Sequence, residues 1–465
     1  MKSFALALRN LLRNRRRSIT TLIAMIIGAS AILLFGGYSR NITFGMQTGF
    51  VQRSGHLQIQ HKDFFLYGNG NPAAYGIADY QKVIEIVRHD PVLAPMLAVV
   101  TPSLQLSGIA GNFSAGVSRT VIGGGVVVEE QNQMRQWNDY GFPLTPRPLA
   151  LTGTSADSAV IGIGVARVLQ LCAPLQIARC PQPAVLKTDA ATDAKGTPDD
   201  IAALSAQEQS VTPAHSDTRI EMLAANAHGA PNVAGLNVIK AEAQGMKELD
   251  DIFIALHLSQ AQKLIYGAAS PQVTAISLQL QHTSQIPAAR ARLDQMLATT
   301  FKDAPLEVQD YETLNPMYGQ SIGMFQALFS FITILIGSIV LFTVGNTMSM
   351  AVVERTVEIG TLRAIGLRRH GIRRLFMIEG LLLGVIGAML GVLVSLVLAS
   401  IINHCGLSWT PPGYIDPVPL TVRVWGQNDL IYGSTIGLVI VAVISAWWPA
   451  NRASRMNIVD ALRHV

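Results

Sequence analysis

The chain has 465 residues, 49% of them hydrophobic and only 14% charged, with a mean hydropathy of +0.34. Its net charge of +5 comes from basic clusters beside apolar stretches, which signals contact with lipid headgroups and excludes a nucleic-acid-binding reading. Four stretches lack Asp, Glu, Lys and Arg altogether: 18–39, 313–353, 380–415 and 430–451. Each is long and apolar enough for a helix to cross the roughly 30 Å hydrocarbon core of a bilayer.

In chain order, residues 1–17 form a basic segment with Phe4, Leu8, Leu11 and Leu12 at helical spacing. This spacing predicts a short amphipathic helix on the membrane surface; a disordered basic tail is the alternative. The first transmembrane helix occupies 18–39. Its apolar run is longer than a signal-peptide core and lacks a clear cleavage site, so an uncleaved anchor is expected.

Residues 40–318 have ordinary soluble composition. Residues 55–60, 160–163 and 272–280 read as strands, and 81–88 and 286–298 as helices, giving an α+β domain expected to form two subdomains. The stretch 181–234 is rich in Ala, Asp, Thr, Ser and Pro and reads as an insertion, either a tolerated loop or a partner-docking arm. Cys172 and Cys180 are candidates for a disulfide closing a small loop, or for two free thiols; Cys405 is expected only to pack. No histidine or cysteine spacing suggests a metal site, and no nucleophile–base constellation suggests catalysis.

The second transmembrane helix is expected at 319–353, a cytoplasmic connection at 354–377 and the third helix at 378–402. An external loop at 403–429, a fourth helix at 430–449 and a cytoplasmic tail at 450–465 complete the chain. The third helix carries Gly380, Gly384, Gly387 and Gly391, whose 4-3-4 spacing predicts close packing against the second or fourth helix or a second copy. No acid or base sits at mid-membrane, Glu379 lying at the edge, which argues against an ion relay.

Arginine placement predicts orientation. The segments 1–17, 354–377 and 450–465 carry 15 Lys and Arg against three acids, or +12, whereas 40–318 carries 19 against 24, or −5. By the positive-inside rule both termini are cytoplasmic and the large domain is outside.

The connection ERTVEIGTLRAIGLRRHGIRRLFMIEG (354–380) predicts a helix that runs on from the second span through Glu354 and Glu358 to Ala364, a left-handed stop at Gly366 and a second short, basic, amphipathic helix (Arg368–Phe376) into the third span. The pattern ER-x-x-EIG-x-LRAIG, with IRRLF-x-x-EG after it, resembles the permease family that includes MacB, LolC, LolE and FtsX. The ending WPANRASRMNIVDALR (448–463) is similar to that family's C-terminus, with Ile458 where a proline is common.

The resemblance implies an α-helical membrane protein with four transmembrane helices plus a large extracytoplasmic, MacB-like α+β domain between helices 1 and 2. It would lie in a bacterial inner membrane and act by mechanotransmission. The chain has no phosphate-loop motif. The resemblance therefore implies a partner cytoplasmic ABC ATPase supplying ATP and Mg, with no cofactor bound directly. It also implies a second permease copy or paralogue, and an adaptor, lipoprotein or outer-membrane component outside. On this resemblance Glu354, Arg355, Glu358, Arg363, Gly366, Arg368 and Arg369 belong to the ATPase-coupling region. The size of the external domain favours export or extraction of an amphipathic cargo. An FtsX-like signal transmitter is the alternative, and a membrane enzyme a third and weaker one.

Overall fold

The computed structural model describes residues 2–13, 15–68, 70–142, 146–178, 218–410 and 417–457. It divides into a helical unit (Met1–Met46, Met317–Trp409 and Val418–Val465) and a second unit built mainly from Gln47–Pro316.

The helical unit contains α1 (Lys2–Arg13) and α2 (Arg15–Ser54), whose residues from Gln47 onward belong to the second unit. The second unit opens with β1 (Leu57–His61), α3 (Tyr80–His89), β2 (Leu97–Asn112), β3 (Val117–Val126) and β4 (Ser158–Gly162). It continues through β5 (Arg219–Ala225), β6 (Pro231–Glu242), β7 (Phe253–His257), α4 (Leu258–Tyr266), β8 (Ala275–Leu280), α5 (Ile286–Thr299) and β9 (Leu306–Asp310). The chain then re-enters the helical unit with α6 (Pro316–Glu354), α7 (Thr356–Ala364), α8 (Arg369–His404) and α9 (Asn428–Arg455).

Helices α2, α6, α8 and α9 contain 40, 39, 36 and 28 residues and are apolar enough to cross a membrane. At 1.5 Å per residue the longest measures about 60 Å, twice the hydrocarbon core; α2 extends well beyond its charge-free stretch, whereas α6 nearly coincides with its own.

The four glycines of α8 divide their work between two neighbours. A Cβ at Gly380 or Gly384 would lie 2.4 Å from Ala446 Cβ or 3.0 Å from Ala442 Cβ, both on α9. At Gly387 or Gly391 it would lie 2.7 Å from Met25 Cβ or 2.4 Å from Ala29 Cβ, both on α2. The stripe thus packs on the fourth spanning helix, as one expected option had it, and also on the first, which the sequence did not suggest. Ser30 Oγ donates to Gly391 O at 3.2 Å, and Thr21 and Thr347 hydroxyls meet at 2.8 Å between α2 and α6.

In the second unit the strands form one nine-stranded sheet, ordered β3-β7-β4-β6-β5-β2-β8-β1-β9, with β3 also pairing with β2. Six strands therefore close in a ring, and β8, β1 and β9 extend from the first half of β2. The pairs β3–β7 and β4–β6 are parallel; the others are antiparallel. The larger core of this unit among the described residues runs from Leu57 and Val83 to Ile254 and Leu278, with a smaller cluster around Val128, Leu151, Val160 and Ala255. The expected two subdomains are thus one unit: β2, 16 residues long, belongs to both the ring and the extension.

The expected insertion at 181–234 is corrected at its C-terminal end. β5 buries Ile220, Met222 and Ala224 in strict alternation and lies between β2 and β6. Residues 179–217, Cys180 among them, lie outside the described residues; Cys172 is buried.

Helix α3 covers the sheet with Tyr80, Val83, Ile84 and Val87, the spacing of one helical face. Just past its end, Asp90 accepts from the amides of Val92 and Leu93 and from Arg292 of α5, whose Nη2 lies 2.7 Å from Oδ2. The Arg292 hydrogen bonds hold the Asp90 carboxyl below its ordinary range.

Candidate functional site: the arginine-rich elbow of the helical unit

α6 ends at Glu354, and α7 begins at Thr356. Arg355 between them has φ −103° and ψ 17°, off the helical path, so the chain bends there and the helix expected to run unbroken to Ala364 is two helices. The bend carries the Arg355 side chain into the helical unit, where it is 5% exposed. Its Nη1 donates to Glu379 Oε1 at 2.9 Å, and its Nη2 to the Asn10 carbonyl at 3.2 Å. Asn10 Nδ2 donates to the same Glu379 oxygen at 2.7 Å. The N-terminal helix, the elbow and the start of α8 therefore share one buried ion pair. Such a pair is sustained only when hydrogen bonds offset the desolvation of both charges.

Two further ion pairs fasten the N-terminal segment to the elbow. Arg17 grips Glu354 with both guanidinium nitrogens, Nη1 lying 2.7 Å from Oε2, and Arg13 Nη2 lies 2.5 Å from Glu358 Oε1. The second pair is half-exposed, and pairs of that kind contribute little, about 0–1 kcal/mol. Arg363 donates to the Met456 carbonyl beyond the end of α9. A cavity of about 20 Å³, the space of a single water, is lined by Asn10, Arg17, Ser18, Thr347, Arg355 and Glu379.

The tip of the connection is built differently. Gly366 has φ +105°, the left-handed conformation expected of a helix stop there, and α7 ends two residues earlier at Ala364. Ile365 is 79% exposed; Leu367, Arg368, Arg369 and His370 are exposed as well. This apolar and basic knob is carried by α7, whose Ile359 and Gly360 are buried, and by α8, whose Ile372 is buried.

The residues assigned to coupling therefore separate. Gly366, Arg368 and Arg369 form an exposed tip. Glu354 and Glu358 face the N-terminal arginines, Arg363 braces the C-terminal end, and Arg355 is a buried strut that is turned away from solvent. Sequence reasoning did not find Asn10, Arg13, Arg17 or Glu379 as partners. Glu379 gave the one usable signal, an acid alone at the start of an otherwise charge-free stretch.

Residues 327–458, which include the whole elbow, match the FtsX-like permease C-terminal family. Among curated proteins the chain is 27% identical over 217 residues to an uncharacterized ABC transporter permease of Methanocaldococcus jannaschii, covering 46% of this chain and 51% of the relative. It is 27% identical over 244 residues to the lipoprotein-releasing system transmembrane protein LolC of Neisseria meningitidis, covering 50% and 56%. It is 26% identical over 201 residues to the macrolide export ATP-binding/permease protein MacB of Rhodopirellula baltica, covering 42% and 27%. The chain spans about half of the length of these relatives, or less.

Four spanning helices and a permease domain define a multi-pass membrane protein. Residues 327–458 make up an FtsX-like permease C-terminal domain, and the chain is similar to ABC transporter permeases that include LolC and MacB.

Proposed function

We propose that the chain is a permease subunit that couples ATP hydrolysis by a separate cytoplasmic ATPase to movements of its nine-stranded domain. In this reading both termini and the elbow are cytoplasmic, and the sheet domain is periplasmic at a bacterial inner membrane. The observation that carries it is the elbow: an exposed tip of Ile365, Leu367, Arg368 and Arg369 mounted on a buried Arg355–Glu379 strut. A partner pressing on that tip would move α7 and the start of α8 as one piece, and the strut would pass the displacement to α1. The surplus of arginine in these segments supports their cytoplasmic placement.

The work done outside is export or extraction of an amphipathic cargo such as a lipoprotein, lipid, peptide or hydrophobic small molecule. The similarity to LolC and MacB supports this class. A second permease, identical or related, would complete the assembly. α6 offers it an exposed apolar face that includes Phe331, Ile334 and Phe342. An adaptor or outer-membrane component belongs to the same proposal.

The test is charge reversal at the tip. Arg368→Glu with Arg369→Glu is expected to lose the co-purifying ATPase while the permease still inserts and resists protease like the wild type. Unchanged ATPase recovery would remove the tip from the coupling surface. Deleting the gene is expected to strand a cargo at the inner membrane. An unaltered envelope, together with an idle periplasmic hydrolase, would move the assignment to signal transmission.

A further inference from the structure

α9 presents two unlike faces. At about 100° per residue, Tyr432, Ile436, Ile440, Ile444 and Trp447 fall within roughly 120° of arc, and all five are exposed. The opposite side carries Leu438, Ala442 and Ala446, which are buried; Ala446 and Ala442 are the residues that Gly380 and Gly384 of α8 approach. The exposed band is graded by residue type. Isoleucines fill its middle, and an aromatic ring closes it at each end. Trp448 is exposed beside Trp447, and Trp425, just before the first turn of α9, is 83% exposed.

The levels of these aromatics match the dimensions of a bilayer. From Asn428 to Trp448 the helix rises about 30 Å, the thickness of the hydrocarbon core. The charges of α9 lie at its ends, Asp429 at one and Arg452 and Arg455 at the other. Trp and Tyr favour the headgroup level, where the ring meets acyl chains while its N–H or O–H stays wet. Trp425 is held at its level, because the segment around it is fastened to α2. Arg423 N–H donates to Gly37 O at 3.2 Å, Asn41 Nδ2 to Thr421 Oγ1 at 2.6 Å, and Arg40 Nη1 to Asp429 Oδ1 at 2.7 Å. The exposed positions of α6 differ in character. Gln326 and Asn346 are among them, and acyl chains offer such groups no hydrogen bond.

We propose that this band of α9 is a lipid-facing surface. Acyl chains cover Ile436, Ile440 and Ile444, Trp425 and Tyr432 lie in one headgroup layer, and Trp447 and Trp448 lie in the other. A second permease therefore packs on a different face of the helical unit. The inference concerns the helical unit alone and stands whether or not an ATPase docks at the elbow.

The experiment places a photo-crosslinking p-benzoylphenylalanine at Ile440 of the full chain, in cells that naturally express it, so that any native protein partner is present. Phe113, exposed in the second unit, is the control position. The expected result is a phospholipid adduct at Ile440 and none at Phe113. An adduct of Ile440 with any polypeptide, a second copy included, or no phospholipid adduct would overturn the proposal. Depth is read by fluorescence of the purified chain in nanodiscs whose phospholipids carry bromine either near the headgroup or near the end of the acyl chain. Subtracting the emission of Trp425→Phe, and separately of Trp448→Phe, from the wild type isolates each ring. Both signals are expected to be quenched more by the bromine near the headgroup. Stronger quenching by the deep bromine, or none by either, would overturn the headgroup placement and with it the lipid-facing band.

Discussion

Arg355 and Glu379 are 24 residues apart in sequence, yet each is the other's main partner. Removing one member of such a buried pair strands the other charge, at a cost of about 3–5 kcal/mol. Glu379→Ala and Arg355→Ala are each expected to lower the thermal midpoint in detergent sharply, and the double variant less than the sum of the two. Strict additivity would mean that the two side chains are not coupled. His56 supplies a pH-dependent counterpart in the sheet domain. It is fully buried, its ring stands edge-on to Trp137, and its Nδ1 accepts from the Leu280 amide at 2.9 Å. Burial lowers its pKa to about 4. The unfolded chain takes up this proton near pH 6.5 and the folded chain only near 4, so stability is present above 6.5 and falls as pH drops between those values. The loss is on the order of 3 kcal/mol. His56→Asn is expected to flatten that part of the pH profile; an unchanged slope would show that another group is responsible.

Among elements, α8 holds the helical unit together through its glycines. Leucine at Gly380 would push against α9, and leucine at Gly391 against α2. Each is expected to reduce assembly as measured by size-exclusion recovery, and Gly380→Ala to be milder than Gly380→Leu. Survival of both leucine variants would contradict the packing described. These glycines, the spanning helices and the Gly366 stop were legible because each is written in consecutive residues: charge depletion, 4-3-4 spacing, one flexible position. The sheet was less so. β5 escaped notice because the Ala- and Asp-rich composition before it masks the alternation of Ile220, Met222 and Ala224. The β2–β3 pair escaped because Pro102, Gly108, Gly111 and Gly123–Gly125 read as strand breakers, although they sit in paired strands. At the elbow the acids and arginines were visible but their partners were not. Glu358 meets Arg13 across 345 positions, a distance no local pattern spans.

The chain joins a four-helix unit to a nine-stranded domain, and in the proposed function energy conversion falls to a partner at the elbow. The proposed function rests on an ABC ATPase docking there. The most direct measurement is gentle purification of the tagged chain from native membranes, with mass spectrometry of everything that accompanies it. The proposed function predicts an ABC ATPase in stoichiometric amount, lost when Arg368 and Arg369 are reversed to Glu. An intact preparation that contains no ATPase would contradict it.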